Sequence, residues 1–140
     1  YRGNYVYNFL DEHLTRFHAR VPKLAQWDDH DVRNNWYPGR LLDEARYTEK
    51  RLDVLAARAR RAFFEMNPVR GLGGERIYRS IPYGDMVEVF LLDGRSHRGT
   101  NPGALNRERG PDTAYFGDEQ IAWFKDALRR SRATWKRRPS

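Results

Sequence analysis

Apolar residues near the start of the chain recur at the spacing of a helix. They fall three or four positions apart and would line one side of a helix over residues 5–19. The next apolar stretch, residues 23–28, is short and ends at a tryptophan, which is typical of a strand. A much longer helix is predicted over residues 41–65, because apolar residues there again step by three and four.

The second half of the chain alternates strands with a helix. Residues 77–82 and 86–92 are predicted as strands, and the three-residue link between them contains a glycine, which favours a hairpin. A loop rich in Gly and Pro, residues 99–117, precedes a helix that Asp118 can cap. That helix carries Ile121, Phe124, Ala127 and Leu128 on one side. With a last strand over residues 133–136, this mixture predicts an α/β or α+β layered fold.

Length and composition limit what the chain can be. It has 140 residues, of which 39% are apolar and 14% aromatic, enough for a packed core. No apolar run approaches the roughly 20 residues of a membrane helix, and there is no cysteine for disulfides or thiolate zinc sites. The sequence begins inside an aromatic cluster and stops where a strand opens, so we expect residues 1–140 to be a single partial domain of a longer protein.

The formal net charge of +7 is concentrated near the end of the chain. Six basic residues lie within the last twelve positions: Arg129, Arg130, Arg132, Lys136, Arg137 and Arg138. Without them, 20 basic residues face 19 acidic ones, a net charge of +1. The tail is either a non-catalytic basic module that binds phosphate-rich partners or nucleic acid, or a solvated helix end whose arginines suit the helix dipole.

The densest polar cluster, residues 27–36, follows the first predicted strand. Asp28, Asp29, His30 and Asp31 are consecutive here. Carboxylates this close repel one another, and a bound cation would relieve the repulsion, because carboxylate, imidazole and amide groups suit hard or borderline metals. The alternative is a solvated acidic loop that caps a helix, and the spacing favours neither interpretation.

A second polar cluster, residues 93–98, follows the most apolar predicted strand. Arg95 and Arg98 can hold two oxygens of a phosphate group. The alternative, which the frequency of structural ion pairs favours, is a pair between Asp93 and Arg95 that fixes the loop.

Five stretches of the chain, in order, resemble one known family. Residues 27–36, WDDHDVRNNW, are similar to the signature of PhoD-like alkaline phosphatases and phosphodiesterases, which belong to the calcineurin-like metallophosphoesterase superfamily. The other four stretches are YRGNYVYNFL, ARRAFFEMNPVR, IYRSIPYGDMVEVFLLDGRSHRG and FGDEQIAWFKDALRRSRATWK. Together they cover nearly the whole chain.

The resemblance implies a metal-dependent phosphoester hydrolase built as an αββα sandwich, in which helices flank a mixed sheet. Its two-metal centre, with iron and calcium or a similar pair, would promote in-line attack of hydroxide on a phosphate ester. The implied partner is a phosphoester substrate, nucleic acid enters only as a phosphodiester, and no membrane contact is expected. Members of the family are often exported, but residues 1–140 contain no signal that fixes a compartment.

The resemblance also implies roles for four residues of the first cluster. Asp29 occupies the position of a metal ligand. His30 occupies the position of a histidine that contacts the phosphate and assists the leaving group. Asp28 and Asp31 flank them as further ligands or as supports of the ligands.

Three more residues match the family pattern. Asn34 and Asn35 correspond to paired asparagines that hold the loop or reach the metal, and Arg95 corresponds to an arginine with a phosphate-side or structural role. The remaining metal motifs of the family are expected before Tyr1 and after Ser140. We therefore expect residues 1–140 alone not to assemble the two-metal centre.

Overall fold

The computed structural model describes residues 1–69, 76–100, 108 and 110–139. Within these ranges the chain forms four α-helices, three strands and a short 3-10 helix, Pro111–Thr113. The helices and strands, in chain order, are α1 (Arg2–Asn8), α2 (Glu12–Arg20), α3 (Leu52–Met66), β1 (Arg79–Tyr83), β2 (Val87–Leu91), α4 (Asp118–Arg130) and β3 (Trp135–Arg137). None of these helices combines the length and the apolar character needed to cross a lipid bilayer.

The three strands form a small mixed sheet with β2 in the middle. β1 and β2 are antiparallel, and the turn between them contains Gly84 at φ 63°, a conformation that glycine adopts without strain. β3 joins the other edge of β2 in parallel, with Trp135 opposite Val87. α4 packs on one face of the sheet, where the ring centroids of Phe124 and Phe90 are 5.5 Å apart. The predicted hairpin, last helix and last strand are confirmed, and the sheet with its helices is of the α/β type.

The main hydrophobic core lies between α3 and the first polar cluster. The Trp27 ring contacts the rings of Trp36 and Phe63 edge-on, at centroid distances of 5.8 Å in both cases. The other buried members of this core are Val32, Leu42, Leu52, Ala59 and Ile77. Because the two tryptophans bracket residues 28–35, their burial anchors both ends of the acidic segment to α3.

The helix predicted over residues 5–19 is wrong, because two helices replace it. α1 ends at Asn8, and α2 begins after Asp11. The Asp11 carboxylate accepts the Leu14 backbone N–H at 2.8 Å and so caps α2 as a separate helix. Thr15 Oγ1 donates to the Phe9 carbonyl at 2.9 Å, which occupies a carbonyl in the break between the two helices.

The long helix predicted over residues 41–65 is correct only from Leu52 onward. Before it, the backbone pairs with itself: the Leu42 N–H donates to the Lys50 carbonyl at 2.8 Å, and the Leu52 N–H donates to the Arg40 carbonyl at 3.0 Å. These bonds close residues 41–51 into a small antiparallel loop. The helical spacing of apolar residues continues through this loop. The backbone N–H groups of Leu42 and Leu52, however, donate across the loop rather than along a helix.

Two smaller predictions also need correction. Residues 23–28 form no strand, and the segment packs instead through the buried Trp27. The N-cap of α4 is Gly117 at φ 71°, so Asp118 lies in the first turn and does not cap. On the apolar side of α4, Ile121 is 37% exposed and Ala127 is buried. Of the loop predicted over residues 99–117, positions 101–107 and 109 lie outside the described residues.

Candidate active site

The Asp29 carboxylate is the buried centre of the first polar cluster, with a side chain only 7% exposed. Its Oδ1 accepts the His30 backbone N–H at 3.0 Å, and its Oδ2 accepts the Asn35 backbone N–H at 2.8 Å. The Asp29 carbonyl accepts the N–H groups of Val32 and Arg33 at 2.9 and 2.7 Å. These bonds wrap the segment from residue 29 to residue 35 tightly around one carboxylate.

The Asp29 pKa lies below its ordinary value. Burial alone would raise this pKa, because a charge is solvated less well inside a protein. The hydrogen bond from the Asn35 N–H and the nearby positive charge of Arg95 outweigh burial. Asp29 is therefore an ionised carboxylate at neutral pH.

Arg95 joins the two polar clusters that the sequence shows separately. Its Nε donates to Asp28 Oδ1 at 3.0 Å, and its Nη2 lies 3.4 Å from Asp29 Oδ2. The predicted ion pair between the side chains of Arg95 and Asp93 is wrong, because Arg95 pairs with Asp28 and Asp29. Asp93 Oδ1 instead accepts the backbone N–H groups of Arg95 and Ser96 at 2.9 and 2.8 Å. The loop is fixed as predicted, but the guanidinium crosses to the carboxylates of the first cluster.

His30 and the paired asparagines lie at the exposed rim of the site. The His30 side chain is 77% exposed, and its Nε2 lies 3.8 Å from Asp29 Oδ1. Asn35 has a φ of 54°, a left-handed conformation that asparagine tolerates better than most residues. Arg40 Nη1 donates to the carbonyls of Asn34 and Asn35 at 3.4 and 3.0 Å. The cluster thus presents a solvent-accessible imidazole beside a buried carboxylate.

Arg98 has a different environment from Arg95. Its guanidinium carbon lies 4.7 Å from the centroid of the Tyr115 ring, which is a cation–π contact. This contact orients Arg98 toward the segment that precedes α4. A phosphate grip formed jointly by Arg95 and Arg98 stays a prediction.

Asp31 accepts two hydrogen bonds of its own. Its Oδ2 accepts the Asp28 backbone N–H at 2.9 Å, and its Oδ1 accepts the Tyr5 hydroxyl at 3.3 Å. Burial raises the pKa of Asp31, and the charges of Asp28 and Asp29 add to that effect. Tyr5 belongs to α1, 26 positions earlier in the chain, so the spacing of nearby residues does not predict this contact.

Gln120 is the second residue that sequence reasoning missed. Its side chain, in a residue only 1% exposed, accepts the Asp93 N–H through Oε1 at 2.7 Å. Its Nε2 donates to the carbonyls of Asp93 and Phe116 at 2.8 and 2.9 Å. A signal was present, because Gln120 precedes Phe124 and Ala127 by four and seven positions, the spacing of one helix face.

The fit of these residues to a metal is limited to a single ligand. Among the described residues, no three His, Cys, Asp or Glu side chains are grouped so that they could hold an ion. Asp29 by itself fits a ligand position, because it is ionised and its Oδ1 retains a lone pair beyond the His30 N–H bond it accepts, whereas its Oδ2 accepts the Asn35 N–H and also faces Arg95. Asp28 is 70% exposed and is turned toward Arg95.

The C-terminal basic residues are divided between α4 and β3. Arg129 and Arg130 lie in the last turn of α4, and Arg130 forms an ion pair with Asp126 one turn earlier, at 2.6 Å. Lys136 and Arg137 are exposed on β3. This placement agrees with the solvated helix end as the interpretation of Arg129 and Arg130.

Comparison with known proteins gives consistent results over almost the full chain. The family model described as PhoD-like phosphatase matches residues 1–137. Alkaline phosphatase D of Bacillus subtilis (strain 168) is 29% identical to this chain, over 96% of the chain and 25% of that protein. A solved structure described as "Structure of PhoD" matches with a TM-score of 0.70 and 27% identity, over 91% of this chain and 26% of that one. The chain spans about a quarter of the length of these relatives, and it belongs to the PhoD-like phosphatase family, as the resemblance predicts.

Proposed function

We propose that this chain is part of a metal-dependent phosphoester hydrolase, in which Asp29 is a metal ligand and His30 contacts the phosphate. The observation that carries the proposal is the Asp29 environment. A buried carboxylate is kept ionised by two peptide N–H groups and a guanidinium, directly beside an imidazole that is 77% exposed. Membership of the PhoD-like phosphatase family supports a phosphoester as the substrate class.

A metal pair, iron and calcium or a similar combination, would supply Lewis-acid chemistry to the ester when bound. The residues of this chain have separate tasks around it. Asp29 provides fixed negative charge, held by the hydrogen bonds to His30 and Asn35. His30 is exposed enough to reach a substrate and can give a proton to the leaving oxygen. Arg95 places positive charge beside the Asp28 and Asp29 carboxylates.

Three further residues are proposed as ligands or loop supports. Asp28 is exposed and its Oδ1 already accepts from Arg95, so a metal would share this carboxylate with the guanidinium. Asn34 and Asn35 are exposed residues whose backbone carbonyls accept from Arg40. We also propose that the mixed sheet and its helices form part of an αββα sandwich.

The test is a hybrid enzyme. Residues 1–137 replace the matching quarter of Bacillus subtilis alkaline phosphatase D, and hydrolysis of p-nitrophenyl phosphate and bis(p-nitrophenyl) phosphate is measured together with metal content. We expect turnover in the hybrid, and a loss of at least about 100-fold with Asp29→Asn. His30→Gln should lower turnover while bound metal is retained.

Asp43→Asn provides the matched control, because Asp43 is an exposed carboxylate outside the cluster. Its activity should equal that of the parent hybrid. Full turnover and unchanged metal content in the Asp29→Asn hybrid would overturn the proposed role of Asp29. A folded, metal-loaded hybrid that hydrolyses neither ester would overturn the proposed reaction itself.

A further inference from the structure

We infer that Gln120 on α4 is a positioning residue for the Asp29–His30 site, and that it acts through Asp93 and Arg95. This inference rests on the proposed function for its catalytic meaning. The coupling of Gln120 to the Asp29–His30 segment does not depend on catalysis, so it can be measured without any turnover.

The first step joins Gln120 to Asp93. The Gln120 side chain accepts the Asp93 N–H at 2.7 Å and donates to the Asp93 carbonyl at 2.8 Å. Both residues are almost completely buried, at 1% and 2% exposure. Buried peptide groups need such partners, so α4 determines where the chain leaves the end of β2.

The second step joins Asp93 to Arg95. Asp93 Oδ1 accepts the backbone N–H groups of Arg95 and Ser96, which turns the chain directly after β2. The turn is closely packed, because a Cβ atom on Gly94 would lie 3.3 Å from the Tyr115 ring. The direction in which the Arg95 side chain starts is therefore set by Asp93.

The third step joins Arg95 to the carboxylates. The Arg95 side chain is 14% exposed, and its guanidinium lies 3.0 Å from Asp28 Oδ1 and 3.4 Å from Asp29 Oδ2. The other donors to Asp29 that the structure describes are the N–H groups of His30 and Asn35, both from the same loop. Arg95 thus ties that loop to the sheet, and a displacement of Arg95 changes the electrostatic environment of Asp29.

The chemistry of glutamine suits this position. An acceptor oxygen and a two-hydrogen donor on one planar amide serve the N–H and the carbonyl of Asp93 together, with the second hydrogen left for the Phe116 carbonyl. Gln120→Met keeps the length and the burial of the side chain and removes all three hydrogen bonds.

The experiment compares ¹H–¹⁵N spectra of the 140-residue chain and its variants. We expect Gln120→Met to move the backbone amide signals of His30 and Asn35 and the Arg95 Nε–H signal by more than their line widths. Phe124→Leu is the matched control, because it loosens the packing of α4 on the sheet without touching Asp93. It should leave the His30 and Asn35 signals in place.

A double-mutant cycle tests the route. In an Arg95→Gln background, Gln120→Met should cause no additional shift of the His30 and Asn35 amides. Equal shifts in both backgrounds, or no shift in the native background, would overturn the inference. If Gln120→Met does not fold, Gln120→Glu replaces it, because an ionised glutamate accepts the Asp93 N–H but cannot donate to the Asp93 carbonyl.

The hybrid phosphatase supplies the catalytic readout. There, Gln120→Met should weaken metal binding about tenfold and lower kcat, with KM for the ester unchanged. Unchanged metal affinity together with altered amide signals would show coupling without a positioning role, and would reject the catalytic part of the inference. An inactive parent hybrid would instead count against the proposed function, because the spectra of the 140-residue chain do not depend on activity.

Discussion

Asp29 and Asp31 are two positions apart, both are shielded from solvent, and their pKa values are shifted in opposite directions. Asp29 receives two peptide N–H groups and lies beside the Arg95 guanidinium. Asp31 receives one peptide N–H and the Tyr5 hydroxyl, and it lies next to two other carboxylates. Burial raises the pKa of both carboxylates. At Asp29 the Asn35 N–H and the Arg95 charge outweigh burial, whereas at Asp31 burial remains the largest effect and the charges of Asp28 and Asp29 add to it.

The difference suits the two carboxylates to different tasks. Asp29 is stabilised as an anion, which is the form that a metal ligand requires. Asp31 is destabilised as an anion, and its hydrogen bonds link the cluster to α1, which suits a structural support. Residues of the same type in one short motif can thus be separated by their surroundings, which the spacing of the residues along the chain does not show.

The largest expected effect comes from Asp29→Asn. Asparagine offers one acceptor oxygen where two N–H groups point, so one of them would face an NH₂ group. We expect the free energy of unfolding to fall by about 2 kcal/mol, measured by urea titration with tryptophan fluorescence. Asp28→Asn, which alters an exposed carboxylate, should cost less than about 1 kcal/mol. Equal losses for the two variants would remove the distinction drawn for Asp29.

A smaller effect is expected from Tyr5→Phe, which deletes the hydroxyl that donates to Asp31. The loss should be about 1 kcal/mol, the usual value of a hydrogen bond to a partly buried group. Tyr7→Phe is the control, since Tyr7 lies on the same helix and is 74% exposed. If the two variants unfold at the same urea concentration, Tyr5 does not support the cluster.

Asp31→Asn should change the free energy of unfolding by less than about 0.5 kcal/mol. The amide oxygen can accept the Asp28 N–H, and the amide nitrogen can donate to the Tyr5 oxygen, because a hydroxyl both donates and accepts. Removal of a charge next to Asp28 and Asp29 also relieves repulsion. A loss as large as that of Asp29→Asn would show that Asp31 is needed as an anion.

The smallest expected effect is on the pH dependence of stability, where Asp29 and Asp31 should act in different pH ranges. The pKa of Asp29 is lowered on folding, so its stabilising contribution is complete above its ordinary pKa of about 3.9 and is lost as the pH falls through the lower, folded-state pKa. The pKa of Asp31 is raised, so the penalty for its charge exists above the folded-state pKa and disappears as the pH falls through it. The stability difference between native and Asp31→Asn chains should therefore change at a higher pH than that for Asp29→Asn. Acid unfolding curves in which both differences change in the same pH range would contradict this order.

Local patterns were sufficient for part of this structure. The hairpin could be predicted because a short link with Gly84 separates two β-prone runs, and α4 because its apolar residues keep one face. The density of acids beside His30 was enough to select the candidate site. The break before α2 and the loop at residues 41–51 were missed because an Asp11 cap and backbone pairing compete with helical spacing, and spacing alone does not show which prevails.

Long-range contacts were not predictable in this way. Arg95 and Asp28 are 67 positions apart, and the residues around each of them do not predict that the two are partners. Spacing along the chain favoured an ion pair between Asp93 and Arg95, because the two residues are close in sequence. In the structure, Asp93 Oδ1 accepts two backbone N–H groups instead. Gln120 is an intermediate case. Its position on the inner face of α4 follows from helical spacing, but a polar residue is not expected among the buried ones.

The parallel pairing of β3 with β2 bears on the order in which the chain folds. β1 and β2 are neighbours in sequence and can pair as soon as their turn forms, within microseconds for an isolated hairpin. Val87 and Trp135 are far apart in sequence, with α4 between them, so their pairing requires closure of a long loop. We expect Trp135→Ala to speed unfolding and to leave the folding rate nearly unchanged, as stopped-flow measurements would show. The parallel edge strand β3 would then be the last to dock and the first to leave.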